Sequence, residues 1–278
     1  MTDHSNSQQN DDNVPTSMRH LATQMKALRE WVGLTQREFS KKVGFSESQI
    51  ASVEQLRRPM KMDLAVQLEK QFNLPGVFTS VVDELLKEPH PSWFEPFAEA
   101  EAEAIALSTY QTQLIHGLLQ TEAYTRGVCA AYRPALEDEE IERRLAARLA
   151  RQQLLTRSPS PHLSFILEEV TLRRPTAGDE AQREQLHRLL EAGQERHIEI
   201  QVMPTERGNH AGLEGPFTLV ETPDQGMGVY LEVQGTGQLI TERRAVNRHA
   251  RRYGILQSQA LSPEESAEFI KQLATGER

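Results

Sequence analysis

No apolar run in the 278 residues approaches the length needed to cross a bilayer, which excludes a helical membrane span. The chain has one cysteine, Cys129, so an internal disulfide framework is excluded as well. Set among small and apolar residues in a helical stretch, Cys129 reads as a packing residue; a reactive thiol needs a nearby base or cation. The first residues lack the basic start and apolar stretch of a secretory signal, and a cytoplasmic protein is expected. His162, His187, His197 and His210 have no ligand-like spacing with cysteine, and there is neither a nucleophile motif nor a phosphate-binding glycine loop. Neither metal, nor cofactor, nor enzymatic activity is therefore expected. Internal repeats are absent too.

Positive charge is also scarce, but only on average. The net charge of -9 argues against nucleic acid until it is read by region, because phosphate contacts depend on a local basic surface. Residues 17–62 hold nine Lys or Arg against four acids, a net of +5. The first 16 residues carry -3 and the remaining 216 carry -11. One small basic module is joined to an acidic body.

Residues 1–16 are polar and cannot bury enough apolar area to offset the entropy of ordering, so a disordered tail is expected. Met18, Leu21, Met25 and Leu28 then repeat at helical spacing, ending near Trp31 and Gly33. Thr35 with Glu38 forms a capping-box pattern, Phe39 and Val43 give a second apolar face, and Gly44 stops it. Ser46 caps a third short helix with Ile50 and Val53 inward, followed by a basic turn up to Pro59. Two more helices fit 63–72 and 77–86. The pattern from Thr35 to Glu54 has the spacing of a helix-turn-helix, with Gly44 in the turn and Phe45 filling the space between helices. Glu47, Ser48, Gln49 and Ser52 then form a short polar face able to approach base edges, and Gln36 should meet the DNA backbone.

A Pro- and aromatic-rich joint, PHPSWFEPF, marks the domain boundary, giving a helix-turn-helix domain over 17–88 and a second domain over 89–278. Beyond it, helices are expected at 95–108, 110–132 and 137–156, the last opening on acids and closing on arginines in accord with the helix dipole. Residues 162–168, 197–203, 216–221 and 228–233 read as strands of one small sheet, with a helix at 179–192 between the first two and closing helices at 242–258 and 263–275. The fold class is thus an all-α five-helix amino-terminal domain followed by an α+β domain whose small sheet is flanked by helices.

The segment TQREFSKKVGFSESQIASVE resembles the lambda-repressor and Cro-like, or Xre-type, family in its Thr-Gln opening, Gly44 turn, Ile50 and Glu54 positions and basic turn. The resemblance implies that Gln36 contacts phosphate and orients the recognition helix, that Glu47, Ser48 and Ser52 face bases, and that Arg57, Arg58 and Lys61 hold the flanking backbone. Glu47 departs from the amide or basic residue frequent there; a carboxylate can accept from cytosine N4. Glu54 reads as structural. Double-stranded DNA, in the form of an inverted-repeat operator bound by a homodimer, is the partner these features imply.

Residues 90–278 resemble the carboxy-terminal region of WhiJ-like regulators of actinomycetes through SWFEPF, GLLQTEAY, ARLARQ, LRRP, His210–Phe217, VYLE and ALSPEES. His116 stands where that family is expected to have proline. The resemblance implies developmental regulation through a ligand or a small acidic partner protein encoded nearby, acting at the nucleoid. The alternative is an antitoxin-like protein that binds a small cognate protein and autoregulates its operon. Candidate ligand or partner residues are Glu169, Arg174, His210, Tyr230 and Glu232, at strand ends or in the loop Gly208–Gly215. His210 also reads as a loop-closing residue bonded to backbone, and Arg173 with Arg174 as a salt-bridge group. Arg243, Arg244, Arg248, Arg251 and Arg252 read either as a solvated face or as a surface for an acidic partner or DNA. Leu114, Leu118, Leu119 and Tyr124 have core spacing, with a dimer seam as the alternative.

Overall fold

The computed structural model describes residues 16–58, 60–87, 91 and 93–276. The chain divides into two compact units, Met1–Trp93 and Phe94–Arg278. The expected polar tail lies outside the described residues except for Thr16, which opens the first helix; Pro59 and part of the PHPSWFEPF joint also lie outside them.

Five helices make up the first unit: α1 (Thr16–Trp31), α2 (Gln36–Val43), α3 (Glu47–Glu54), α4 (Met62–Phe72) and α5 (Thr79–Lys87). Both capping boxes needed to start α2 and α3 are formed, by Thr35 with Glu38 and by Ser46 with Gln49. Gly44 ends α2 at φ +79, a left-handed conformation that costs glycine little and other residues more. Met25, Phe39, Ile50, Leu68 and Phe78 are buried together in one core, and Phe45 packs against it. Glu69 reaches across from α4 to accept the amides of Phe78 and Thr79 at 2.7 Å, supplying the start of α5 with acceptors from outside its own sequence.

In the second unit a six-stranded sheet runs β3-β2-β1-β4-β5-β6 in space. The strands are β1 (Ala106–Gln111), β2 (His162–Glu168), β3 (Ile198–Met203), β4 (Phe217–Thr222), β5 (Gly226–Val233) and β6 (Thr236–Ile240). The β1, β2 and β3 strands are parallel, and β4, β5 and β6 continue antiparallel from β1. Between β1 and β2 lie α7 (Glu122–Ala130) and α8 (Asp138–Arg151); β2 is followed by the short α9 (Glu169–Arg173) and by α10 (Asp179–Ala192). The first helix of the unit, α6 (Glu95–Glu103), sets Phe97 flat against Tyr230 of β5, with ring centroids 4.2 Å apart. The opposite sheet face, with Tyr110, Ile166, Phe217 and Val229, is covered by Val246, Tyr253 and Leu256 of α11 (Arg243–Gln259). Finally α12 (Pro263–Thr275) screens the outer edge of β3, where the Val202 amide donates to Ser266 Oγ at 2.9 Å.

The fold class agrees with expectation, but several elements do not. The helix expected over 95–108 ends at Glu103, and its remainder becomes β1, the strand joining the parallel and antiparallel halves. Ala104 turns to ψ 134, and the Ile105 amide donates to Glu221 O at 2.8 Å, so pairing with β4 overrides a helix-favouring Ala/Glu run. The helix expected over 110–132 is instead the end of β1, a loop, a 3-10 turn at Gly117–Leu119 and α7. Leu118, Leu119 and Tyr124 are buried in the core of their own unit, in keeping with their core spacing, and Leu114 is half-buried. Residues 152–156 tighten into a 3-10 turn after α8, while α9 and β6 were not anticipated.

Candidate functional sites

The helix-turn-helix begins as local chemistry. Gly44 turns the chain sharply enough for α3 to follow α2 within three residues, and Ile50 with Val53 anchors α3 from below. This leaves Glu47, Ser48 and Gln49 exposed and Ser52 half-buried. Several of these groups are already engaged. Gln49 Oε1 accepts from the Ser46 amide at 3.0 Å and from Ser46 Oγ at 2.9 Å, so its amide nitrogen is the end left for a base edge. Ser52 Oγ donates to Ser48 O at 2.6 Å. The amides of both Arg57 and Arg58 donate to Ser52 O, folding the basic turn against the end of α3 with both side chains exposed. Lys61 is the exposed residue preceding α4.

Gln36 stands at the first position of α2, yet its Nε2 donates to Glu54 Oε2 at 2.7 Å. Glu54 is gripped from the other side by Arg29, with Nε at 2.6 Å and Nη2 at 3.1 Å, and Arg29 Nη1 also donates to Leu34 O. The hydrogen bond to Glu54 raises the arginine pKa further, against the opposing effect of burial. Three helices are therefore tied at one carboxylate, with only 4 % of the Glu54 side chain exposed. Arg29, one of the nine basic residues of the module, is spent on Glu54. The pair removes one charge of each sign, so the basic excess of the module is unchanged.

The five candidates in the second unit do not converge. Tyr230 and Glu232 belong to β5, where the hydroxyl donates to Glu232 Oε2 at 3.2 Å beside Phe97; burial and the neighbouring carboxylate raise the phenol pKa. His210 lies against the other sheet face, next to Tyr110, its Nδ1 accepting from the Gly212 amide and its Nε2 3.5 Å from Glu168. Glu169 opens α9; burial opposes its ionisation, but the Thr205 amide at 2.9 Å and Arg173 hold its pKa below the usual carboxylate value. Arg174 donates to Gln113 O at 3.1 Å, so of the expected arginine pair only Arg173 makes a salt bridge among the described residues.

Motifs far apart in sequence do meet. Arg151 of α8 binds Glu101 of α6 through two bonds of 2.6 and 2.9 Å and lies 4.6 Å over the ring of Phe94. Arg148, one turn earlier, donates to Gln120, which itself holds Ile115 O and Thr125. His116 is buried beside these arginines, and desolvation takes its pKa down to about 4 despite attraction from Glu101. Its Nδ1 accepts the Leu118 amide at 3.3 Å, so the neutral ring caps the 3-10 turn. The motifs SWFEPF, GLLQTEAY, ARLARQ and VYLE thus share one buried polar cluster, a structural role and not an open site.

The structure sets the arginine stripe of α11 beside an open cavity. Arg244, Asn247, Arg248, Arg251 and Ile255 of α11 face the loop at His210–Glu214 across an open cavity of about 960 Å³. The loop is bolted to the helix at Ala211, whose amide donates to Gln259 Oε1 at 2.9 Å, and at Glu214, which pairs with Arg252 at 2.8 Å. Gly212 is required there, since a Cβ would lie 2.3 Å from the Tyr110 ring. No cluster of three potential metal ligands occurs among the described residues, and none of their helices is long and apolar enough to cross a membrane.

Two family comparisons match. Residues 94–272 match a family described as a domain of unknown function (DUF5753), and residues 25–78 match one described as helix-turn-helix. The second identifies the amino-terminal unit as a DNA-binding helix-turn-helix of the kind found in transcriptional regulators. No curated protein and no solved structure matches the chain.

Proposed function

The chain belongs to the DUF5753 family, and from that premise and its helix-turn-helix we propose a sequence-specific transcriptional regulator that binds an inverted-repeat operator as a homodimer. The observation that carries this reading is the exposed polar face of α3 beside a turn presenting Arg57, Arg58 and Lys61, in a module of net +5 within an acidic chain. Eight helical residues span about 12 Å, enough for only a few base pairs, so two copies are needed for a specific site. Glu47, Ser48, Gln49 and Ser52 are assigned to base edges and the three basic residues to phosphates. Gln36 is assigned a phosphate contact through the amide hydrogen that Glu54 does not take.

The second unit is proposed to act by binding, not by chemistry, receiving a small protein partner or a ligand in the manner of WhiJ-like regulators inside the cytoplasm. What supports this is that its candidate polar residues are scattered and engaged in internal bonds, whereas the groove along α11 is open. Footprinting on the upstream region of its own gene tests the proposal. Two protected half-sites about one helical turn apart are expected. Folded protein that binds no fragment of that region even at low salt overturns it.

A further inference from the structure

The α11 groove combines two features seldom left together on a folded surface. The guanidinium groups of Arg244, Arg248 and Arg251 project from one face of the helix and make no hydrogen bond or ion pair among the described residues. Two large apolar side chains border them, Leu213 at 70 % exposure on the loop and Ile255 at 51 % on the helix. The opposite face of α11 is fixed by the buried Val246, His249, Tyr253 and Leu256, so the stripe is held on a rigid element. The facing loop is equally constrained by Gln259, Arg252 and the close approach of Gly212 to Tyr110.

We propose that the groove between α11 and the 210–214 loop binds an acidic peptide segment of a partner protein. Its carboxylates pair with Arg244, Arg248 and Arg251, and its aliphatic or aromatic side chains cover Leu213 and Ile255. This rests on the reading that the second unit receives a partner. Planar guanidinium groups match carboxylates with two parallel bonds each. From Arg244 to Arg251 the helix rises about 10 Å, too far for one small anion and suited to several acidic residues along a chain. A DNA duplex is the competing polyanion. Its backbone charge, one about every 1.7 Å, can meet the arginines, but it offers nothing to the two apolar side chains.

Selection of a phage-displayed random dodecapeptide library on the full-length chain tests this. Enriched peptides should hold three or more Asp or Glu with at least one large apolar residue. A fluorescent synthetic copy of the leading sequence should bind the Arg244→Ala/Arg248→Ala/Arg251→Ala variant at least tenfold more weakly. Binding to Leu213→Ala/Ile255→Ala should weaken several-fold. All the altered side chains are exposed except for contacts within the groove, and unchanged circular dichroism and melting temperature confirm that the variants fold. Enrichment without acidic bias, or equal affinity for the triple variant, overturns the proposal. So does an unrelated duplex that binds the groove and loses affinity in the triple variant while no acidic peptide is enriched. Operator binding measured on the same preparations separates the two readings: its failure alone counts against the DNA-binding assignment, and loss of peptide binding with operator binding intact localises the partner to the groove.

Discussion

Gln36 and Glu54, eighteen residues apart, meet at 2.7 Å, and the same carboxylate is clasped by Arg29. This joins the start of α2 to the end of α3 and makes the placement of α3 depend on a buried acid. Glu54→Ala should destabilise the amino-terminal unit by about 3 kcal/mol, because it leaves a mostly buried guanidinium with only Leu34 O and the exposed Glu30 as partners. Gln36→Ala should cost about 1 kcal/mol or less while weakening DNA binding. Urea unfolding of each variant, set beside its operator affinity, checks both.

Substitutions at the residues assigned to bases and to phosphates should separate by kind. Ser48→Ala and Ser52→Ala should change sequence preference, with discrimination shifting by about 1–3 kcal/mol at the base pairs affected. Arg57→Ala or Lys61→Ala should weaken all sequences alike and reduce the slope of log affinity against log salt by about one each. Binding titrations on specific and scrambled duplexes at several salt concentrations measure both quantities.

Gly212 is held where a methyl group would enter the Tyr110 ring. The Gly212→Ala variant should lose about 1–3 kcal/mol from the second unit through overpacking. If the loop shifts to relieve the clash, the Ala211–Gln259 bond is the first contact broken and the α11 groove changes shape. Thermal unfolding of the variant, with hydrogen exchange across 208–216, reports the two effects separately.

His116 should make the second unit acid-sensitive. Its folded-state pKa of about 4 lies below the ordinary 6.5 because burial, with Arg148 and Arg151 nearby, disfavours the charged ring, although Glu101 pulls the other way. The unfolded chain therefore takes up the proton first. The stabilisation is complete above pH 6.5 and is lost as pH falls towards 4, amounting to roughly 3 kcal/mol. His116→Gln keeps an acceptor for the Leu118 amide and should flatten the dependence of melting temperature on pH across this window.

Where signals act over a few residues, they could be read directly. Thr35 with Glu38, Gly44 and Ser46 set the limits of α2 and α3 through bonds closed within four residues, and Asp179–Ala192 and Pro263–Thr275 carried their own helical periodicity. The polar face of α3 followed from that same spacing. The coupling of Gln36 to Glu54 did not, since nothing local says which distant carboxylate an amide will meet. The arginines of α11 were visible as a stripe, but the cavity beside them needs the 210–214 loop, which approaches from another part of the chain.

The sequence by itself determined the helix-turn-helix, the separation of a basic module from an acidic body, and four of the six strands. Caps, left-handed glycine and hydrophobic period are local and act before the chain folds over on itself. Tertiary structure alone decided that Ala106–Gln111 is the strand joining the two halves of the sheet, because its backbone partners are supplied by β2, 56 residues away, and by β4, about a hundred and ten residues away. It alone decided that Glu101 and Arg151 neutralise each other in the interior, and that Arg29 serves Glu54. Such pairings follow from which groups lose water together, and that is settled only when the distant segments pack.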